Sequence, residues 1–159
     1  MDDQKYASLK LENQLCFPLY ACSRETIRLY KPYLDELNLT YTQYISMLVL
    51  WEKGSITVKE LGNALYLDSG TLTPLLKKLE AKGLISRTRS KNDERNLIIS
   101  ITDEGAAMKE RALHIPEEMA KCVLLTPEES LTLYRLLYKM LSYSDRAPEQ
   151  GKRKIITRT

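Results

Sequence analysis

Three cysteines and one histidine are the residues of this chain that could support nucleophilic or metal chemistry. Cys16, Cys22 and Cys122 lack the short spacing of metal ligands, and His114 is the single histidine. We therefore expect neither a metal site nor a cysteine–histidine nucleophile pair, and no cofactor is implied. An odd number of cysteines without a secretory signal argues against a disulfide framework. The chemistry that remains is that of a reduced thiol.

A second set of residues could contact a polyanion. Asp68 is expected to cap a helix that ends near Lys82 and Gly83. Leucines at helical spacing form its inward face: Leu72, Leu75, Leu76 and Leu79. Small hydroxyls followed by cations form its outward face: Ser69, Thr71, Thr73, Lys77 and Lys78. Side chains of these types contact base edges and phosphates, although an ordinary solvated surface also carries lysines.

Positive charge is concentrated in two segments of this chain of 159 residues, whose formal net charge is +3. Residues 77–96 contain seven basic and three acidic residues, and residues 145–159 contain five basic and two acidic ones. A single positive edge suits contact with a polyanion. The longest apolar run, near Trp51, is too short to cross a membrane, so we expect a cytoplasmic protein without a membrane partner.

Short helices precede the helix that Asp68 caps. Thr40 or Thr42 can cap a helix that ends near Lys53. Thr57 and Glu60 form a capping box for the next, short helix. Two short helices joined by a few residues, the second with a small polar face, predict a helix-turn-helix.

A hairpin is expected directly after this unit. Residues 85–89 and 97–101 alternate in polarity and predict two antiparallel strands, joined by a basic polar turn at residues 91–95. We therefore predict a mainly α fold with a small β-wing, in which a winged helix-turn-helix covers about residues 40–101. Pro74 inside the second helix of the unit violates helix propensity, as functional positions often do.

Long helices are expected to flank the module and to form a dimerisation region. The first covers about residues 8–36, with Pro18 as a local kink, and the others cover about residues 103–143, with a break at Pro116. The last helix is apolar on more than one side, which predicts a homodimer. Residues 1–144 then form one domain, and residues 145–159 are expected to be a flexible basic tail.

Three stretches of the sequence carry a resemblance to a known family: NQLCF at 13–17, LYLDSGTLTPLLKKLE at 65–80 and DERN at 93–96. They resemble the MarR family of winged helix-turn-helix repressors and, within it, the organic hydroperoxide resistance regulators. The resemblance covers about residues 8–143. It implies a dimeric repressor, not an enzyme, that binds double-stranded DNA at a pseudopalindromic operator.

The resemblance also assigns residues to the DNA interface. The following would enter the major groove: Ser69, Thr71, Thr73, Pro74 and Lys77. Arg95 at the wing tip would reach the minor groove with Asp93 orienting its guanidinium, and Arg87 would hold backbone phosphate.

In the resembling regulators, the cysteine that matches Cys16 reacts with organic hydroperoxides. Two tyrosines of the partner subunit hydrogen-bond its sulfur, and these match Tyr30 and Tyr41; Tyr20, one turn after Cys16, could add a donor. Phenolic hydroxyl donors can stabilise the reactive thiolate. An oxidised Cys16 would be trapped by Cys122 of the other subunit, by a small thiol, or by overoxidation.

Cys22 is predicted to have a different role from Cys16, and two alternative functions of the chain remain open. Cys22 lies about −120° around a helix from Cys16 and is expected to be structural. A repressor released by a noncovalent aromatic ligand is one alternative function. A thiol peroxidase is another, although no general base or cation is evident beside the thiol.

Overall fold

In a computed structural model, residues 5–89 and 97–142 are described, and they form seven helices and a small antiparallel sheet. The elements in chain order are α1 (Cys16–Glu36), α2 (Tyr41–Lys53), β1 (Ser55–Thr57), α3 (Val58–Leu65), α4 (Ser69–Ala81), β2 (Ile85–Arg89), β3 (Leu97–Ile101), α5 (Asp103–Ala112), α6 (Ile115–Cys122) and α7 (Pro127–Leu141). The predicted mainly α fold with a small β-sheet is confirmed.

The start of the first helix was predicted wrongly. Two single 3-10 turns, Ala7–Leu9 and Leu11–Asn13, precede α1, so the helix begins at Cys16 and not near residue 8. Pro18 lies in the first turn of α1, where its missing N–H has no partner to lose, and it is therefore not a kink. The proline inside this helix is Pro32.

The caps predicted at Thr57 and Asp68 are confirmed, and of the two candidates for α2 the structure uses Thr40. Thr40, Thr57 and Thr126 each accept from the third helical amide, and the side chain three residues later bonds back to the capping residue. Asp68 and Thr102 cap α4 and α5 through their side-chain oxygens. These local hydrogen bonds satisfy amides that a helix start leaves unpaired, and they fix where each helix begins.

The sheet contains a strand that sequence analysis missed. Its order is β1-β3-β2, and all pairs are antiparallel. Ile56 of β1 lies opposite Ile99 of β3, and Arg87 of β2 lies opposite the same residue from the other side. A strand of three residues gives too little alternation to be recognised, and its pairing with β3 is long-range.

The core lies between α2, α3, α4 and the sheet. Its fully buried side chains include Tyr44, Met47, Leu50, Leu61, Leu72, Leu76, Leu79 and Ile99. The leucines of α4 that were predicted to face inward are all buried. The core therefore fixes which side of α4 remains exposed.

Candidate functional site

The predicted DNA-contacting residues of α4 share its exposed side. Ser69, Thr71, Thr73, Pro74 and Lys77 are all exposed. Because the leucines on the opposite side are buried, this face cannot rotate away from solvent. The exposed face of α4 therefore carries small side chains, with Lys77 after them along the helix.

Two hydroxyls on this surface are held in defined orientations. The Thr73 hydroxyl donates to the Ser69 carbonyl at 2.8 Å, and the Thr71 hydroxyl donates to the Asp68 carboxylate at 3.1 Å. Since each hydroxyl proton is directed inward, the oxygen lone pairs point outward as acceptors. Such a surface suits amino groups on base edges.

Arg87, which is predicted to hold backbone phosphate, pairs with Glu80 in the structure. Its Nε donates to the Glu80 carboxylate at 2.8 Å, and Nη2 donates to the same oxygen. This pair holds the pKa of the Glu80 carboxyl below its usual range. The guanidinium thus ties β2 to the end of α4 and positions the wing against the helix. Asp93 and Arg95, together with the predicted turn and the tail at residues 145–159, lie outside the described residues.

Cys16 is the first residue of α1, and its side chain is exposed. The neighbouring apolar side chains of Leu15 and Phe17 are also exposed, by 71% and 42%. Tyr20, one turn later, accepts a hydrogen bond from Arg24 at 3.2 Å, and the Arg24 guanidinium lies over its ring. The thiol therefore lies on a largely apolar surface that a single chain leaves uncovered.

Tyr30 and Tyr41 are brought together by α1 and α2. Their ring centroids lie 5.0 Å apart, and the ring of Tyr44 lies 5.8 Å from that of Tyr30. Burial raises the pKa of Tyr30 and Tyr41, and it raises the pKa of Tyr44 to about 12. All three phenols are protonated at neutral pH and keep an O–H group for donation.

Tyr44 is the site residue that sequence analysis missed. It is fully buried between Tyr30 and Trp51, and the ring centroids of Tyr44 and Trp51 lie 6.2 Å apart. The spacing of three between Tyr41 and Tyr44, which places both on one side of a helix, is the signal that could have identified it.

The tyrosine cluster predicts a pH dependence of stability. Because burial raises the pKa of Tyr44, the folded protein keeps a proton that the unfolded chain releases above pH 10. We expect the stability that depends on this group to be complete below pH 10 and to be lost as pH rises towards 12. The Tyr44→Phe variant should show a shallower fall of the unfolding temperature over this range. Parallel slopes for the two proteins would contradict the assignment.

Cys16 cannot reach the tyrosine pair of its own chain. Fourteen residues of α1 separate it from Tyr30, which corresponds to about 21 Å along a helix axis. Both residues nevertheless lie on one face of α1, because fourteen residues are close to four whole turns. The thiol and Tyr30, beside which Tyr41 of α2 lies, are thus far apart on one face of α1.

The other two cysteines are exposed and free. Cys122 is the last residue of α6, and its sulfur lies 3.5 Å from the Glu118 carbonyl oxygen. Cys22 lies on α1 and was expected to be structural; its exposure contradicts the view that it fills the core of the chain.

The terminal helices leave a large apolar surface uncovered. In the part of the chain that the structure describes, no residue of α7 is buried. Its exposed apolar side chains are Leu131, Leu133, Tyr134, Leu136, Leu137, Tyr138, Met140 and Leu141. At 100° per residue they cover about 220° of the helix circumference, which leaves only one narrow polar side. The connection before α7 adds Val123, Leu124 and Leu125, all exposed.

Within residues 5–89 and 97–142, no helix is long and apolar enough to cross a membrane. No group of histidine, cysteine and acidic side chains in these residues could hold a metal ion.

Comparison with known proteins gives a consistent result. Residues 28–112 match the family model of the transcriptional regulator SarA/Rot. The chain is 51% identical over 139 residues to the organic hydroperoxide resistance transcriptional regulator of Bacillus subtilis (strain 168), covering 87% of this chain and 95% of that protein.

Solved structures of the regulator AbfR of Staphylococcus epidermidis are also similar. Overoxidized AbfR bound to DNA has a TM-score of 0.71 and 37% identity, covering 87% of this chain and 97% of that one. Disulfide-formed AbfR has a TM-score of 0.60 and 35% identity, covering 89% and 99%.

Proposed function

Since the chain belongs to the SarA/Rot family of MarR-like winged-helix transcriptional regulators, we propose that it is a dimeric repressor that releases its operator when an organic hydroperoxide oxidises Cys16. Its family consists of DNA-binding regulators and not of enzymes, which sets aside the thiol peroxidase alternative. The observation that carries the sensing part is the placement of Cys16 and Tyr30 far apart on one face of α1, with Tyr41 of α2 beside Tyr30.

The exposed face of α4 is the proposed contact with the major groove. Thr71, Thr73 and Pro74 would meet base edges, Ser69 the backbone near the helix start, and Lys77 a phosphate or guanine. Arg87 remains a proposed contact with backbone phosphate, and its bonds to Glu80 also hold the wing in place. Arg95 with Asp93 remains the proposed minor-groove contact. A two-fold dimer then places two such helices about 10 base pairs apart on a pseudopalindromic operator.

A second copy of the chain is the proposed cover for the apolar terminal helices. The exposed side chains of α7 occupy too wide an arc for packing against one neighbour. An isologous two-fold contact buries the same surface on both subunits at once. We propose that α1, α6 and α7 of both chains form this interface.

The spacing on α1 specifies how two copies would meet. If the two α1 helices run antiparallel across a two-fold axis at Ser23, residue 16 of one chain lies opposite residue 30 of the other. Ser23 lies midway between Cys16 and Tyr30 on the same face, and its small side chain permits close approach. Each thiol would then receive hydrogen bonds from Tyr30 and Tyr41 of the partner subunit, which stabilise the thiolate.

Heterodimers test this arrangement. A chain with Cys16→Ser is paired with a chain with Tyr30→Phe, so that each dimer keeps one Cys16. If the site is shared between subunits, that thiol faces the intact Tyr30 of the other chain and should react with cumene hydroperoxide at the wild-type rate. The Tyr30→Phe homodimer should react several-fold more slowly. A heterodimer as slow as this homodimer would show that the thiol uses its own chain's tyrosine.

The oxidation has two steps. The Cys16 thiol releases its proton, the thiolate attacks the terminal peroxide oxygen as the O–O bond breaks, and the departing alkoxide takes up the proton, which gives an alcohol and a sulfenic acid. A second thiol then releases its proton, its thiolate attacks the sulfenic sulfur, and the S–O bond breaks; the departing hydroxide takes up the proton, which gives a disulfide and water. We propose Cys122 of the partner subunit as this second thiol, because it is exposed and ends α6, the helix before the uncovered helix α7.

The AbfR structures favour a disulfide as the state that releases DNA. AbfR is seen bound to DNA in its overoxidized form, so overoxidation is compatible with DNA binding in that relative. The disulfide-formed structure fits the present fold less well, with a TM-score of 0.60 against 0.71. A disulfide between subunits would constrain the packing of terminal helices more strongly than oxygen atoms added to one sulfur.

The Cys122→Ser variant tests the disulfide. In buffer without small thiols, cumene hydroperoxide should still consume Cys16, but no crosslinked dimer should appear on a non-reducing gel. Operator affinity, measured by fluorescence anisotropy, should stay within about three-fold of its reduced value. A crosslinked dimer in this variant, or full release of the operator, would contradict the role of Cys122.

A further inference from the structure

Residues 82–84, which follow the recognition helix α4 directly, form a junction between the DNA-binding unit and the terminal helices. We call them the junction segment. Lys82 is the C-cap of α4. Its side chain is half-buried and turns away from the exposed face of the helix, towards the end of α1.

The Lys82 ammonium bonds to two groups outside its own helix. Its Nζ donates to the carbonyl of Asn38, just beyond α1, and to the Oε1 of Gln43 at 3.3 Å. Gln43 is only 3% exposed, and the same oxygen accepts from the Thr40 amide at 3.0 Å. The ammonium therefore connects the end of α4 to the connection between α1 and α2.

The carboxyl end of α1 is a favourable place for a cation. The last carbonyls of a helix lack partners and carry the negative end of its dipole. Arg111 of α5 also binds at the carboxyl end of α1, where its Nη2 donates to the Glu36 carbonyl at 2.7 Å. Cations from the end of α4 and from α5 thus hold the carboxyl end of α1. The amino end of the same helix carries Cys16.

The rest of the junction segment is attached to α5. The Thr102 hydroxyl donates to the Gly83 carbonyl at 2.6 Å, and the Thr102 amide donates to the Leu84 carbonyl at 3.2 Å. Gly105 packs so closely that a Cβ atom there would lie 2.1 Å from the Leu84 carbonyl oxygen. The segment is therefore fixed to α5 by backbone contacts, and the hydrogen bond that joins it to the connection after α1 comes from the flexible side chain of Lys82.

From this geometry we propose that Lys82 is a positioning residue that transmits the redox state of Cys16 to the recognition helix. The proposal rests on the proposed function. A 21-residue helix is a stiff rod of about 31 Å, so a displacement at Cys16 moves the carboxyl end of α1. The Lys82 ammonium follows the Asn38 carbonyl and carries the end of α4 with it. A two-state change at the thiol thereby alters the spacing of the two recognition helices.

The test compares the ratio of operator dissociation constants in oxidised and reduced protein. Lys82→Met keeps the length and the apolar stem of the side chain but removes its donors. Lys31→Met is the matched control, because Lys31 lies near the same end of α1 but pairs with Asp35 of its own helix. We expect the ratio of Lys82→Met to be at least five-fold smaller than that of wild type, while Lys31→Met keeps the wild-type ratio and Lys82→Arg stays within about three-fold of it.

The outcomes distinguish the proposed role of Lys82 from the proposed sensing function of Cys16. A Lys82→Met protein whose ratio equals that of wild type overturns the role of Lys82, and so does an equal loss in Lys31→Met. Wild-type protein that keeps its operator after oxidation overturns the proposed sensing function and, with it, the transmission. If Lys82→Met is unfolded by circular dichroism, Lys82→Gln replaces it, and an unchanged ratio in that variant contradicts the proposal equally.

Discussion

The Cys16→Ser variant is expected to keep its operator after treatment with cumene hydroperoxide, whereas wild-type protein loses affinity roughly 30- to 150-fold, which corresponds to about 2–3 kcal/mol of coupling between the sites. Serine is nearly isosteric with cysteine, so the exposed start of α1 should keep its packing. Its hydroxyl is not a nucleophile towards peroxides at neutral pH. The reduced affinities of the two proteins should therefore agree within about two-fold.

Cys22→Ser is the matched control for this experiment. It removes another exposed thiol from the same helix, on a side of α1 that does not carry Tyr30. Cys22→Ser should release the operator like wild type. Release by Cys16→Ser would move the signal elsewhere, for example to a noncovalent aromatic ligand at the dimer interface.

The second large effect is expected at the centre of the apolar arc of α7. Leu137 lies near the middle of this arc, between Leu133 and Leu141. In the proposed dimer, Leu137→Glu buries a carboxylate without a partner, at a cost of about 4 kcal/mol or roughly a thousandfold in dimer affinity. A monomer binds only one half-site, so operator affinity should fall at least a hundredfold.

Thr132→Glu is the control for charge alone. It adds the same carboxylate about 140° away around α7, where Arg135 can pair with it. Sedimentation should show a monomer for Leu137→Glu and a dimer for Thr132→Glu. A dimeric Leu137→Glu protein with normal operator binding would contradict the proposed interface.

Local signals made much of the fold predictable. The capping box of Thr57 and Glu60 and the cap at Asp68 involve residues three apart, so the sequence alone fixes where α3 and α4 begin. The leucine spacing in α4 likewise identified its buried side and, by exclusion, the proposed DNA-contacting face.

Features that depend on distant partners were not predictable. Leu11 and Leu15 continue the helical spacing of α1, yet residues 7–13 form 3-10 turns whose leucines remain exposed. The ion pair of Arg87 with Glu80 joins a strand to a helix, which no spacing rule describes. The Lys82 contact with Asn38 spans 44 positions and depends on the finished tertiary fold.

Part of the candidate thiol site was likewise predictable from the sequence, and part was not. Cys16, Tyr30 and Tyr41 were identified through resemblance, and the structure adds their separation along α1. Tyr44 was missed because a buried tyrosine in an apolar helix looks like ordinary core.

Operator binding by wild-type protein before and after cumene hydroperoxide, followed by a dithiol reductant, tests the central claim most directly. Fluorescence anisotropy with a pseudopalindromic fragment from the protein's own promoter gives the dissociation constant in each state. We predict tight binding by the reduced dimer, a loss of at least 30-fold on oxidation, and recovery with dithiol. Unchanged affinity after Cys16 has been fully oxidised to the disulfide would contradict the account.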